Sequence, residues 1–319
     1  MSTTAKKGLG NTLGQWALNN GALVGLIVLC LALFIATPNF LTVPNIINIG
    51  VQAAVVAILA FGMTFVIVTA GIDLSVGSVA ALSAMMSAFM FSNAGLPGWL
   101  TLLIGLGIGL LAGAISGLAI AYGRLPAFIA TLAMMSVARG LTLVISDGTP
   151  IKTPDSINAM GSNVGLLPVP ILMMVLAGVV CWFVLSQTVL GRSMYAIGGN
   201  TEAARLSGIP VRRVLVSVYA LSGVFAALAG MVLAGRLASA QPQAGVTYEM
   251  DAIAACVIGG ASLAGGSGKA TGTLVGAILL AVIRNGLNIL NVSSFWQQVV
   301  IGVVIAIAVG FDVIRSKKS

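Results

Sequence analysis

The chain has 319 residues, of which 59% are hydrophobic and only 7% charged, and its formal net charge is +8. A water-soluble domain carries about a quarter charged residues, so this composition excludes a soluble globular protein. The basic excess does not call for a nucleic-acid partner, because Lys and Arg cluster at the ends of apolar runs, where the positive-inside rule places them.

No charge occurs between Lys7 and Asp73, between Asp73 and Arg124, or between Asp155 and Arg192. Each gap exceeds the ~20 apolar residues that cross a bilayer core as a helix. Backbone amides in hydrocarbon have to be satisfied within the protein, which leaves helices or a closed barrel. Barrel strands alternate polar and apolar residues, whereas GLIVLCLALFIA and VIGVVIAIAVG are continuously apolar. The predicted fold is therefore all-α and integral to the membrane, a single transmembrane domain over 1–319.

In chain order, Lys6 and Lys7 precede a long apolar stretch in the manner of a signal peptide. That stretch ends Ile35-Ala36-Thr37-Pro38 without a small-x-small cleavage site, so it reads as a retained first span. Ten spans are predicted, at 19–37, 46–70, 73–92, 98–122, 127–146, 165–187, 213–237, 250–265, 269–291 and 295–313. The eighth is short for a full crossing and reads as re-entrant or broken. Cys30, Cys181 and Cys256 all lie in apolar runs without metal or disulfide spacing, as small buried hydrophobes do. The chain has no His, which removes the commonest acid–base residue and metal ligand, and no cofactor is expected.

Orientation follows from charge. Placing Arg192, Arg205, Arg212, Arg213, Arg315, Lys317 and Lys318 in the cytoplasm also places Lys6, Lys7, Arg124 and Lys269 there. Both termini are then inside, and the polar stretch 147–164 lies on the opposite face. A constant shift aligns Gly105, Gly109 and Gly113 with Gly268, Gly272 and Gly276, and Ile120 and Gly123 with Ile283 and Gly286. This pairs spans four and nine, which run in opposite directions, and predicts inverted repeats over 19–164 and 165–313. Gly105, Gly109, Gly113 and Gly117 form a smooth helix stripe that reads as close helix packing.

The connection Gly191 to Arg213 is long and ordered in its residues. Gly198-Gly199 is expected to break the chain, with Asn200 or Thr201 capping a helix that carries Glu202 in its first turn. Gly208 is expected to end that helix and Pro210 to prevent its resumption. The product is a helix of about two turns across the cytoplasmic face; a plain interfacial helix among headgroups is the alternative. Residues 263–270, LAGGSGKA, approach a phosphate loop but lack its first Gly and final Ser or Thr, so ATP binding by this chain is not expected.

Buried charge is the remaining signal. Asp73 sits where two apolar segments meet, either capping the third span with help from Ser75 or lining a pathway. Glu249 and Asp251 open a helix, where acidic groups are favoured. Arg139 and Arg284 lie several residues inside predicted spans, which points to an interior ion pair or a water-lined position rather than snorkelling.

The run Tyr195-Ala196-Ile197-Gly198-Gly199-Asn200, continued by Glu202-Ala203-Ala204-Arg205-Leu206-Ser207-Gly208-Ile209, resembles the coupling segment of bacterial monosaccharide permeases of ATP-binding cassette (ABC) importers. The ribose type is the nearest. Gly71-Ile72-Asp73-Leu74-Ser75, Arg139-Gly140-Leu141, Gly259-Gly260-Ala261-Ser262 and Arg284-Asn285-Gly286-Leu287-Asn288 extend the resemblance over nearly the whole chain. It implies a non-enzymatic inner-membrane subunit that pairs with a second copy, a cytoplasmic ABC ATPase and a periplasmic sugar-binding protein. Gly198, Gly199, Asn200, Glu202, Ala203, Ala204, Arg205, Ser207 and Gly208 would engage the ATPase. A neutral sugar needs hydroxyl and amide partners, which makes Gln52, Asn285 and Asn288 candidates for the pathway beside Asp73, Ser75, Arg139 and Arg284. The rival reading is an ion-gradient-driven carrier using Asp73, Glu249 or Asp251, which would leave the capped cytoplasmic helix without a partner.

Overall fold

The computed structural model describes residues 21–316. Lys6, Lys7, the start of the first span, Lys317 and Lys318 lie outside the described residues. Helices dominate: α1 Gly21–Ala36, α2 Val43–Val68, α3 Val76–Ala94, α4 Gly98–Ala121 and α5 Ala127–Ser146. A connection follows, made of β1 Ile151–Lys152, α6 Asp155–Gly161 and the hairpin β2 Asn163–Val164 with β3 Leu167–Pro168. Next come α7 Val169–Gln187, α8 Val189–Gly199, α9 Thr201–Leu206, α10 Val211–Leu237 and β4 Ser239–Ala240. The chain closes with α11 Tyr248–Ile258, α12 Ala270–Ile289 and α13 Ser294–Ser316.

Seven of these, α2, α3, α4, α5, α7, α10 and α12, are long and apolar enough to cross a membrane. Among the described residues α1 and Ser294–Ile307 of α13 are further apolar helical stretches, and the eighth predicted span is short and broken as expected, helical only over Tyr248–Ile258. Its break has a local cause. Gly259 ends the helix, Gly260 follows at φ +89°, and residues 259–269 run without helix to Ala270. The third predicted span likewise begins later than expected, because the chain turns through 69–75 with Ala70 at φ +60° before α3 starts.

The centre of the bundle is α2. From Ala53 to Val68 every residue is buried, as expected for a helix that is apolar all round. Helices α3, α7, α10, α11 and α12 surround it. Large apolar residues of α4, α5 and α7, among them Leu111, Val144 and Val175, stay exposed. Faces of that kind suit lipid tails and are rare on soluble monomers.

Helix α4 packs on α10 along the predicted glycine stripe. A Cβ on Gly109 would collide with the Gly223 carbonyl, one on Gly223 with the Gly109 carbonyl, and one on Gly113 with the Tyr219 carbonyl. The two backbones touch directly, as small residues permit in a setting that supplies little hydrophobic drive. At one end of the bundle lie α8 and α9. At the other, β1 pairs antiparallel with β4, Ile151 opposite Ala240, and joins the 147–168 connection to the loop entering α11.

Candidate transport pathway and coupling segment

Helix α9 is capped at both ends. Asn200 accepts a hydrogen bond from the Ala203 N–H at 2.9 Å. At the far end the Ile209 N–H donates to the Ala204 carbonyl and the Gly208 N–H to the Arg205 carbonyl, with Gly208 at φ +83°. That pair of hydrogen bonds with a left-handed residue is the Schellman arrangement, which glycine adopts at least cost. Within α9, Arg205 holds Glu202 through two hydrogen bonds of 2.6 and 3.0 Å while both side chains stay exposed. The guanidinium keeps the Glu202 carboxyl below its ordinary range, so the pair remains charged at neutral pH.

One expectation is corrected here. Gly198-Gly199 does not break the chain; both residues finish α8, and the turn falls at Asn200, whose backbone is extended. Pro210 separates the two helices as expected: α9 ends at Leu206, and α10 starts as a new helix at Val211. Proline is tolerated there because the first residues of a helix have no intrahelical partner for their N–H.

The glycine pair has another use. A Cβ on Gly198 would collide with the Val68 carbonyl and crowd the Gly266 N–H, whereas one on Gly199 would meet nothing. The Gly266 N–H itself donates to Val68 O at 2.9 Å, and the Tyr195 hydroxyl donates to Gly268 O at 2.7 Å. The last turn of α8 therefore sits on the joint between the end of α2 and the 259–269 stretch. Residues 263–270, the phosphate-loop lookalike, belong to this joint and follow helix α11 rather than a strand.

The predicted pathway residues separate into groups. Asp73 is buried at 1% exposure and accepts from the Ser75 N–H at 2.9 Å, the Ser75 hydroxyl at 2.6 Å and the Ser222 hydroxyl at 2.9 Å. It fastens the turn before α3 to α10. Ser75 does not satisfy free amides of α3 as expected, because its hydroxyl is spent on Asp73. Arg139 donates to the carbonyls of Pro242 and Ala244 at 2.7 and 2.9 Å, and so clamps α5 to the 238–247 loop. Asn285 exchanges two hydrogen bonds with Asn45, of 2.7 and 3.0 Å, and joins α12 to α2. Asn288 accepts from Gln297 at 2.7 Å.

Gln52 and Arg284 meet in one cavity of about 260 Å³ between α2, α10, α11 and α12. Arg236, Tyr248 and Asp251 complete its polar side; Val56, Leu233, Leu280 and Ala281 contribute to an apolar one. Arg284 forms the interior ion pair anticipated from its position, with a single guanidinium nitrogen 2.7 and 2.6 Å from the two Asp251 oxygens. Asp251 is thus paired, in addition to standing in the first turn of α11. Arg236 and Tyr248 were missed by sequence reasoning. A signal existed: Ala277, Leu280, Ala281 and Arg284 fall on one helical face, as do Tyr248 and Asp251, so α12 presents a charge beside two alanines and α11 presents two polar groups together.

A helical bundle with a half-polar cavity at one end and a pinned, capped helix at the other defines a polytopic membrane protein of the transporter class. The family is given by comparison. Residues 45–309 match the model of the branched-chain amino acid transport system / permease component, and the chain belongs to this family. It is 46% identical to the ribose import permease protein of Haemophilus influenzae, over 94% of each chain. Against the ribose import permease protein of Bacillus subtilis it is 49% identical over 92% of each chain. The D-allose transport system permease protein of Escherichia coli is 41% identical, with 87% of this chain and 86% of that one covered. The resemblance to monosaccharide permeases is borne out by these relatives. No solved structure matches the chain.

Proposed function

We propose that this chain is the membrane-spanning subunit of an ATP-driven importer for a monosaccharide, ribose or a similar sugar, in a bacterial inner membrane. The observation that carries the reading is α9, a helix capped at both ends and joined at Asn200 to α8, whose Gly198 rests on the joint of α2 with 259–269. A capped helix transmits displacement that an irregular loop would absorb. Pushed by a cytoplasmic ABC ATPase, it would move the attached spans between outward- and inward-facing states that bind sugar differently. ATP hydrolysis belongs to that partner and not to this chain. The names of the ribose and allose relatives support the sugar class.

The rest of the reading follows the same orientation. The chain crosses ten times, with α11 as a short pass, both termini cytoplasmic, and halves 19–164 and 165–313 as inverted repeats. Both aligned glycine sets make close backbone approaches, Gly109 to Gly223 and Gly272 to Gly259, although onto non-corresponding neighbours. A second copy of the chain completes the membrane unit, and a periplasmic binding protein delivers sugar to the face bearing 147–164. An ion-driven carrier is less well supported, because α9 would have nothing to engage.

Purification in mild detergent from the native host is expected to bring down a stoichiometric ATPase with the wild type. The double variant Glu202→Lys/Arg205→Glu should lose it, judged by mass spectrometry. A protein isolated without an ATPase in several detergents would favour the ion-driven carrier. Reversing the charges of Lys152 and Asp155 should weaken capture of the sugar-loaded binding protein; unchanged affinity in a binding titration would remove 147–164 from the docking face.

A further inference from the structure

We infer that the cavity between α2, α10, α11 and α12 is a low-affinity holding site for one monosaccharide, gripped through vicinal hydroxyls by Asp251 and Arg284. The inference rests on the reading of the chain as a sugar permease and adds where, within a single chain, the sugar pauses.

Size comes first. A space of about 260 Å³ far exceeds the ~10–15 Å³ that admits one water, and can hold a small polyhydroxylated molecule with some of its hydration. The walls are unlike each other. Leu233, Leu280 and Val56 present hydrocarbon, while Gln52, Asp251 and Arg284 present donors and acceptors. A sugar has the same division, with C–H faces and a rim of hydroxyls.

Charge excludes the simpler ligands. An anion drawn to Arg236 and Arg284 would meet the Asp251 carboxylate, and a cation drawn to Asp251 would meet two guanidinium groups. A hydroxyl both donates and accepts, so neighbouring hydroxyls can give to Asp251 and take from Arg284 at once. The geometry leaves room for this. Only one nitrogen of Arg284 is committed to Asp251, and its other N–H groups have no protein acceptor among the described residues. The Arg236 guanidinium makes no hydrogen bond or ion pair with a described residue. Gln52 supplies an amide on the α2 side.

Weak binding is the expected consequence. Asp251 is already satisfied by Arg284, so a sugar exchanges bonds with water and with the pair, and gains little net from each. That suits a site that must release what it receives.

The test is protection of a thiol. In a Cys30→Ser background, Gln52→Cys in proteoliposomes is treated with a hydrophilic methanethiosulfonate reagent, with and without D-ribose. At a ribose concentration twice the dissociation constant, labelling should slow about threefold, since the free fraction falls as 1 + [L]/Kd. Asp251→Asn and Arg284→Lys should each remove the protection, scored as the ratio of labelling rates with and without ribose in the same variant. If the thiol introduced by Gln52→Cys resists labelling, Arg236→Cys reports on the same cavity from an exposed position. Labelling that ignores ribose at tens of millimolar, in a preparation that takes up ribose with ATP, overturns the site and spares the permease reading. Protection in a complete reconstituted complex that fails to import ribose supports the site and rejects that reading.

Discussion

Replacing Gly198 with valine should reduce ATP-dependent sugar uptake by one to two orders of magnitude while Gly199→Ala stays close to wild type. The two glycines are neighbours at the end of the same helix, and both valine and alanine are better helix formers than glycine, so helix propensity does not account for a loss. Their surroundings differ. A Cβ at 198 runs into the Val68 carbonyl and the Gly266 amide, which are backbone and have no rotamer to change; a Cβ at 199 meets nothing. Overpacking of this type costs about 1–3 kcal/mol. The cheapest relief is to lift the end of α8 from the joint, which corresponds to roughly a ten- to hundredfold loss of the docked state. Proteoliposomes carrying the ATPase and binding protein would report both uptake and ATP hydrolysis. Gly198→Val importing at the wild-type rate would show that the contact between α8 and the joint carries no motion.

The second large effect concerns stability. Asp73→Ala is expected to destabilise the folded protein by about 2–4 kcal/mol, because it strands buried donors. The Ser75 N–H and the Ser222 hydroxyl both lose their acceptor, and α3 loses its fastening to α10. Asp73→Asn keeps one acceptor oxygen and should cost less than the alanine. Thermal unfolding in detergent compares the three proteins. If Asp73→Ala melts with the wild type while import disappears, the carboxylate serves the pathway rather than the fold.

Sequence alone located most of the long helices, for a physical reason. Hydrocarbon leaves a chain few options, so an uncharged run of sufficient length announces its structure. The glycine stripe on α4 was legible for a similar reason, since i, i+4 spacing maps directly onto one helix face. What stayed hidden was pairing across the bundle. Arg284 could be recognised as needing an interior partner, yet nothing local tied it to Asp251 on another helix. Arg139 shows the same gap: its partners are the carbonyls of Pro242 and Ala244, and backbone acceptors leave no trace in residue identity. Asn285 looked like a pathway amide because a lone Asn on an apolar helix invites that reading. The structure gives it to Asn45, a partner far away in the chain. The coupling segment was the most readable part of the site, since caps are built from neighbours in sequence. Its attachment to Val68 was not, because a glycine chosen for close approach and one chosen for flexibility look alike on paper.

The contact between α4 and α10 has a bearing on how the bundle can deform. Where side chains interdigitate, two helices can slide by exchanging rotamers, each small and reversible. Gly109, Gly113 and Gly223 offer no rotamers, and their carbonyls already rest against the opposing chain. That seam acts as a weld, and α4 and α10 travel as a single beam. Any change in the width of the cavity at Arg236 then has to be taken up along the other flank, where α11 and α12 meet α2 through the Thr64, Cys256 and Thr273 side chains at contacts of 2.8 and 3.4 Å. The protein would open on one side only, with its stiffness written in the residues that have no side chain.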